Sequence, residues 1–367
     1  MTSRCSRLRR SACLAALVCA PVWPVAFAAP PAPPTLDPPQ RAEVLSTLAA
    51  KLTTNYVFPA VAERINASLP ARTAAYPADR NAAAFAERLS ADLRTLADDK
   101  HFRVFVDPSF REPPSPDTVP SADELARQRV DVAQAGFGIE TVQRLPGNVA
   151  YLELRGFGPT EAVAGAYAAA ITLLDGSEAL MLDLRRNGGG EPNSVALWLS
   201  HFFPAGDQRH LNDIYTRSTD STQQYWTTPA TGPRYTKPVY VLTSARTFSA
   251  GEECAYDFQT QKRALLVGEV TGGSANAGAR FALGHGLVVN IPTARAINPV
   301  THTNWEHTGV APDIAVPAAE AKQTAYVAIL RGLVANASDA RQATRLKELL
   351  ALAEKGESEP PVYTMRR

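Results

Sequence analysis

The stretch "LTSARTFSAGEECAYDFQ", Leu242–Gln259, decides how this chain is read. An apolar run, "PVYVLTS", ends just before Ser249, and a helix-like run, "AGEECAYDFQTQ", follows it. The serine therefore stands at a strand-to-helix turn, and two readings are open. Ser249 with Glu252 three residues on spells S-x-x-E, a capping box that closes the helix start on itself. A serine held there is also placed for nucleophilic attack, with the dipole of the following helix favouring negative charge beside it.

Outward from this turn, strand-like and helix-like runs alternate. "GNVAYLELRGF", "EALMLDLR", "KPVYVLTS", "ALLVGEV" and "GLVVNIPTA" read as strands, separated by the helical stretches "TEAVAGAYAAAITLL" and "PNSVALWLSHFF" and the segment after Ser249. Apolar strands alternating with helices predict an α/β core around a largely buried sheet. Ahead of it, "AEVLSTLAAKL" and "AFAERLSADLRTL" carry apolar residues at three- and four-residue spacing, which predicts a small helical N-terminal domain. The expected division is a signal peptide at 1–28, a proline-rich leader at 29–40 and the helical domain at 41–100. A strand and linker at 101–135, the α/β core at 136–335 and a helical tail at 336–367 complete it.

The first residues carry four arginines, then an apolar core, then Ala26-Phe27-Ala28, a small-x-small cleavage pattern. An exported protein, periplasmic or secreted, is expected. Cys19 as a lipid anchor is the alternative, against which stands Val18, bulkier than the small residue such sites prefer. Removing the leader takes away four arginines and no acid, so the formal charge of +1 becomes about −3. That leaves no basic footprint for nucleic acid and no polybasic patch for a membrane. Only Cys254 remains of the four cysteines, so the mature chain forms no internal disulfide and rests on its core.

"MLDLRRNGGGEPNS" places Gly188, Gly189 and Gly190 between a strand and a helix. A dinucleotide fingerprint needs glycine where Asn193 stands, and a P-loop needs Gly-Lys-Ser/Thr. The functional reading left is an oxyanion hole, beside the plainer one of a tight turn. His101, in "LADDKHFRVFV", lies where a helix hands over to a strand, a junction that fixes the direction of a general base. "HTNWEHTGVAPDI" invites a zinc reading, but H-x-x-E-H needs histidine where Thr303 stands, so no metal and no cofactor is expected. Glu306 in that segment is either a surface glutamate beside a loop or a carboxylate that orients a histidine.

Together, "DDKHFRV", "DLRRNGGG", "RTFSAGEE", "VGEVTGGSANAG" and "WEHTGVAPDI" resemble, in order and separation, the tail-specific protease family, peptidase family S41. The resemblance implies a crotonase-like mixed sheet flanked by helices and a serine-type endopeptidase acting on peptides or unfolded proteins. One arrangement in that family uses a lysine about 25 residues after the serine; here Ser274 stands in that place, and Lys262 lies outside the motif. The tricorn-like arrangement implies Ser249 as nucleophile, His101 as base and Glu306 as orienting acid, with the amides of Gly189 and Ala250 as the oxyanion hole. Lys100 replaces the serine that precedes the histidine in tricorn-type sites. Only about 45 residues separate His101 from Gly147, too few for a PDZ domain. The architecture is therefore closest to the interphotoreceptor retinoid-binding repeats, which leaves a non-catalytic binder of apolar ligands or peptides as the competing reading.

Overall fold

The computed structural model describes residues 35–78, 80–112, 121–228 and 232–357. The expected signal peptide and the first part of the proline-rich leader lie outside the described residues, as do 358–367 of the tail. The leader is shorter than expected, because helix α1 (Pro38–Asn55) already begins within it. Asp37 and Gln40 form a capping box there, and proline suits a first helical turn, where its missing N–H costs nothing.

After α1 come α2 (Pro59–Ala74), α3 (Ala82–Ala97) and strand β1 (Arg103–Val106). Helix α4 (Ala122–Gln134) starts on a Ser121–Glu124 capping box and buries no residue. It leads into β2 (Ile139–Leu145), β3 (Val149–Leu154), α5 (Thr160–Leu174), β4 (Ala179–Asp183) and α6 (Pro192–Ser200). Strands β5 (His210–Thr216) and β6 (Ser221–Trp226) precede β7 (Val239–Thr243), helix α7 (Ala250–Thr260) and β8 (Leu265–Gly268). The chain then runs through β9 (Gly278–Gly284), β10 (Leu287–Pro292), β11 (Ala294–Ile297) and β12 (Ile314–Ala315). Helices α8 (Ala318–Ala335) and α9 (Ala340–Glu354) follow.

The central sheet has the order β12-β8-β7-β4-β3-β2, parallel throughout except for the β2–β3 pair. Its inner strands are apolar on both faces because both faces are covered. Leu152, Leu182 and Val241 pack on the side of α5, α6 and α7, while Tyr151, Met181 and Leu242 pack on the side of α8. The mixed α/β architecture is the one the sequence predicts.

The helical N-terminal segment does not close a core alone. Leu48, Ile65, Phe85 and Leu89 share one buried cluster with Leu283, Leu287, Val289 and Ile291 of β9 and β10. Strand β1 pairs antiparallel with β10, Arg103 opposite Asn290, so the residues before β1 are anchored to a hairpin far along the chain. That pairing carries the α3–β1 junction to the carboxyl ends of β4 and β7, where clefts form in open α/β sheets.

Candidate active site

Two loops leave the carboxyl ends of neighbouring strands: one after β4 with the glycine run, one after β7 with Ser249. Ser244 and Thr247 brace the second. The Thr247 hydroxyl donates to Leu184 O at 2.9 Å and takes the Ser244 amide at 3.0 Å, and the Phe248 amide donates to Asn187 O at 3.0 Å. So braced, the chain holds Ser249 at φ 54°, ψ −122°, left-handed and costly for a residue with a Cβ, of order 1–3 kcal/mol. The Ser249 amide donates to Glu252 Oε2 at 3.0 Å, which is the glutamate half of the capping box. The serine oxygen is turned elsewhere: Oγ lies 3.1 Å from Nε2 of His101.

Glu252 does more than cap. Fully buried, it also accepts from the amides of Gly273 (2.6 Å) and Ser274 (3.0 Å) and from the Thr271 hydroxyl (2.5 Å). Burial raises its carboxyl above the usual range against these donors. It therefore locks the serine turn to the 271–276 loop.

His101 is fixed from three sides. Its carbonyl accepts from Asn290 Nδ2 at 2.8 Å, its ring lies 4.8 Å from that of Phe248, and its amide donates to Asp99 Oδ1 at 3.0 Å. The same Asp99 oxygen stands 3.7 Å from the imidazole Nδ1. Asp99 is buried, and its other oxygen accepts from Asn276 Nδ2 at 2.9 Å. Lys100, in the place of the expected relay serine, turns away and donates from Nζ to Gly272 O.

Glu306 is brought to the same cluster rather than to the surface. Its Oε2 accepts from the amides of Ala275 and Asn276, and Trp305 beneath it donates from Nε1 to Ser274 O at 2.9 Å. Burial first, and then the charge of Asp99, push its carboxyl up to about 7, with His101 and His307 pulling the other way. Among the described residues it makes no ion pair with His101; its Oε1 is 3.9 Å from Nδ1 of the half-exposed His307.

The two expected oxyanion donors differ. The Ala250 amide, first in α7, makes no hydrogen bond to a described residue, whereas the Gly189 amide already donates to Asn187 Oδ1 at 2.9 Å. Gly189 sits tight against Ser249, where a Cβ would fall 2.9 Å from the serine Cβ. Among the described residues no group of three or more His, Cys, Asp or Glu is placed to hold a metal ion.

Residues 148–316 match the profile of peptidase family S41. This segment is similar to family S41 peptidases. Gly189, Ser249, Ala250 and Glu306 fall inside it, and His101 stands ahead of it. The chain is 31% identical over 207 residues to carboxyl-terminal-processing peptidase 2, chloroplastic, of Arabidopsis thaliana, covering 53% of this chain and 37% of that one. It is 29% identical over 201 residues to the carboxyl-terminal-processing protease of Synechocystis, covering 53% of this chain and 44% of that one. The matched region thus spans less than half the length of these curated relatives. In fold, the chain is similar to a lipoprotein from Streptococcus agalactiae, with a TM-score of 0.54 at 14% identity over 81% of this chain and 98% of that one. It is also similar to a putative peptidase from Parabacteroides merdae, with a TM-score of 0.52 at 16% identity over 75% and 89%.

Within the matched segment the lysine arrangement has no support from the geometry. Lys262 lies just beyond the far end of α7, whose 11 residues span about 16 Å from Ser249. Ser274 is buried, and its amide serves Glu252. The sequence motifs assign no role to Asp99 or Asn276. The first was legible in principle, since Asp-x-His is the spacing at which an aspartate accepts the amide two residues on. Asn276 meets Asp99 across 177 positions, and nothing local announces it.

Proposed function

We propose that the chain is an exported serine endopeptidase that cleaves peptides or unfolded proteins through an acyl-enzyme. One observation carries the reading: Ser249 Oγ lies 3.1 Å from His101 Nε2, although 148 positions separate the two in sequence. A carrier of apolar ligands has no chemical use for a strained serine aimed at an imidazole.

In this reading Ser249 Oγ bonds to the scissile carbonyl carbon while its proton passes to His101 Nε2. The oxygen of the tetrahedral intermediate meets the open Ala250 amide at the helix start. Gly189 joins it by exchanging Asn187 for the oxyanion. The imidazolium then protonates the leaving amine, and water repeats the sequence to free the acyl group. Glu306 contributes negative charge near the imidazolium. The relatives' names speak of carboxyl-terminal processing. Here one α-helix, α4, and a 3-10 turn at Gly136–Gly138 are the described elements between β1 and β2, so a free C-terminus is not selected through a PDZ groove. Residues 1–28 act as the export signal in this account, and the mature chain starts at Ala29.

The test is hydrolysis of a reduced, alkylated protein by the purified mature chain. Cleavage that disappears in Ser249→Ala supports the reading. Equal cleavage by that variant, or none by the folded parent, overturns it.

A further inference from the structure

We propose that Asp99 is the positioning carboxylate of His101, holding the imidazole by its Nδ1 side and fixing its tautomer, with Asn276 as the strut that keeps Asp99 in place. This rests on the serine–histidine reading above and assigns a role to a residue that reading leaves unused.

The geometry starts at the end of α3. Asp98 takes the left-handed conformation there, φ 53°, ψ 40°, which turns the chain and brings Asp99 back under the ring. Asp99 Oδ1 accepts the His101 amide at 3.0 Å, an Asx-turn that sets the aspartate's direction from its own backbone. The same oxygen then lies 3.7 Å from Nδ1, which is buried and has no hydrogen-bond partner among the described residues. No other described carboxylate forms an ion pair with this imidazole. A neutral histidine carries one ring proton, and the hydrogen bond at one nitrogen decides which. A carboxylate on the Nδ1 side favours the proton there, which leaves the Nε2 lone pair to face the Ser249 hydroxyl. A small rotation of the ring closes 3.7 Å to hydrogen-bond distance when Nε2 gains the serine proton and the ring becomes cationic.

Glu306 is less suited to that task. Its Oε2 is occupied by two amides of the 275–276 segment, and its Oε1, buried without a hydrogen-bond partner among the described residues, lies 3.9 Å from Nδ1 of His307 and forms no ion pair with His101. Asp99 by contrast spends Oδ2 on Asn276 and keeps Oδ1 on the histidine side. Asn276 thus serves both acids, its side chain on Asp99 and its amide on Glu306. No proton passes to Asp99 in this scheme: the serine proton stops at Nε2 and leaves with the amine.

The experiment compares the full mature chain with Asp99→Asn, which removes the charge and presents Nδ1 with an amide that can donate as well as accept. Nitrogen NMR of labelled histidine, recorded in a Ser249→Ala background, reads the ring tautomer without any activity. The parent should show the proton on Nδ1, and Asp99→Asn should lose that preference. With Ser249 present, kcat should fall roughly a hundred- to ten-thousandfold while KM stays within about twofold. Asn276→Ala, which leaves His101 and its backbone untouched, should lower kcat about tenfold and serves if Asp99→Asn fails to fold. An unchanged tautomer and unchanged kcat in either folded variant overturns the role. A parent that does not react at Ser249 defeats the peptidase reading, and the tautomer measurement still decides Asp99.

Discussion

Gly189 and Ser249 are in near-contact across the cleft, so that any side chain at position 189 would begin 2.9 Å from Cβ of Ser249. Gly189 also has φ +100°, a conformation that side chains rarely adopt. Gly189→Ala must therefore push back either the glycine loop or the serine turn. A displacement of about 1 Å at a reacting atom costs roughly a hundredfold in rate. We expect kcat to fall by about that factor with the melting transition still cooperative, as read by peptide hydrolysis beside thermal denaturation. Parent-like turnover would show that the serine turn yields without consequence.

The proposed role of His101 as base is tested by a pair of variants. His101→Ala removes the group 3.1 Å from Oγ and should lower turnover by several orders of magnitude. Lys262→Ala, at the opposite end of α7, should leave it within about twofold. The reverse outcome would restore a serine–lysine dyad and remove His101 from the chemistry.

Glu306 gives a pH signature. Its carboxyl is raised from 4.5 to about 7, so between those values the folded chain holds a proton that the unfolded chain has released. The associated stability is fully present below about 4.5 and is lost as pH rises through about 7. Relative to Glu306→Gln, which cannot ionise, the parent's melting temperature should decline between pH 5 and pH 8. Activity should move the opposite way, because only the ionised carboxylate supports the imidazolium. The kcat advantage of the parent over the glutamine variant should grow to about tenfold by pH 8, the equivalent of about 1.4 kcal/mol. A ratio flat from pH 6 to pH 8 would make Glu306 a loop brace only.

What was legible in the sequence follows from what is local. Strands β3, β4, β7, β8 and β10 announce themselves because burial on both faces makes them apolar runs. Strands β5 and β6 do not: in "STQQYW" only Tyr225 is buried, so neither an apolar run nor a clean alternation marks it. The helical N-terminal segment looked self-contained because its helices are amphipathic by themselves. Its completion by β9 and β10 is a pairing no local pattern encodes. In the site, Ser249 and His101 stand at element junctions that sequence periodicity locates. The glycine run marks Gly189 as an amide donor, while its engagement with Asn187 depends on how a loop folds back over two residues. Lys100 marks the absence of a relay serine, and its reach to Gly272 spans 172 positions.

The most direct test of the account is covalent labelling of the mature chain by a fluorophosphonate, followed by peptide mapping of the adduct. The account predicts a single adduct on Ser249, absent in Ser249→Ala and slowed by orders of magnitude in His101→Ala, with both variants folded. An adduct elsewhere, or labelling of Ser249 at the same rate without His101, would contradict it.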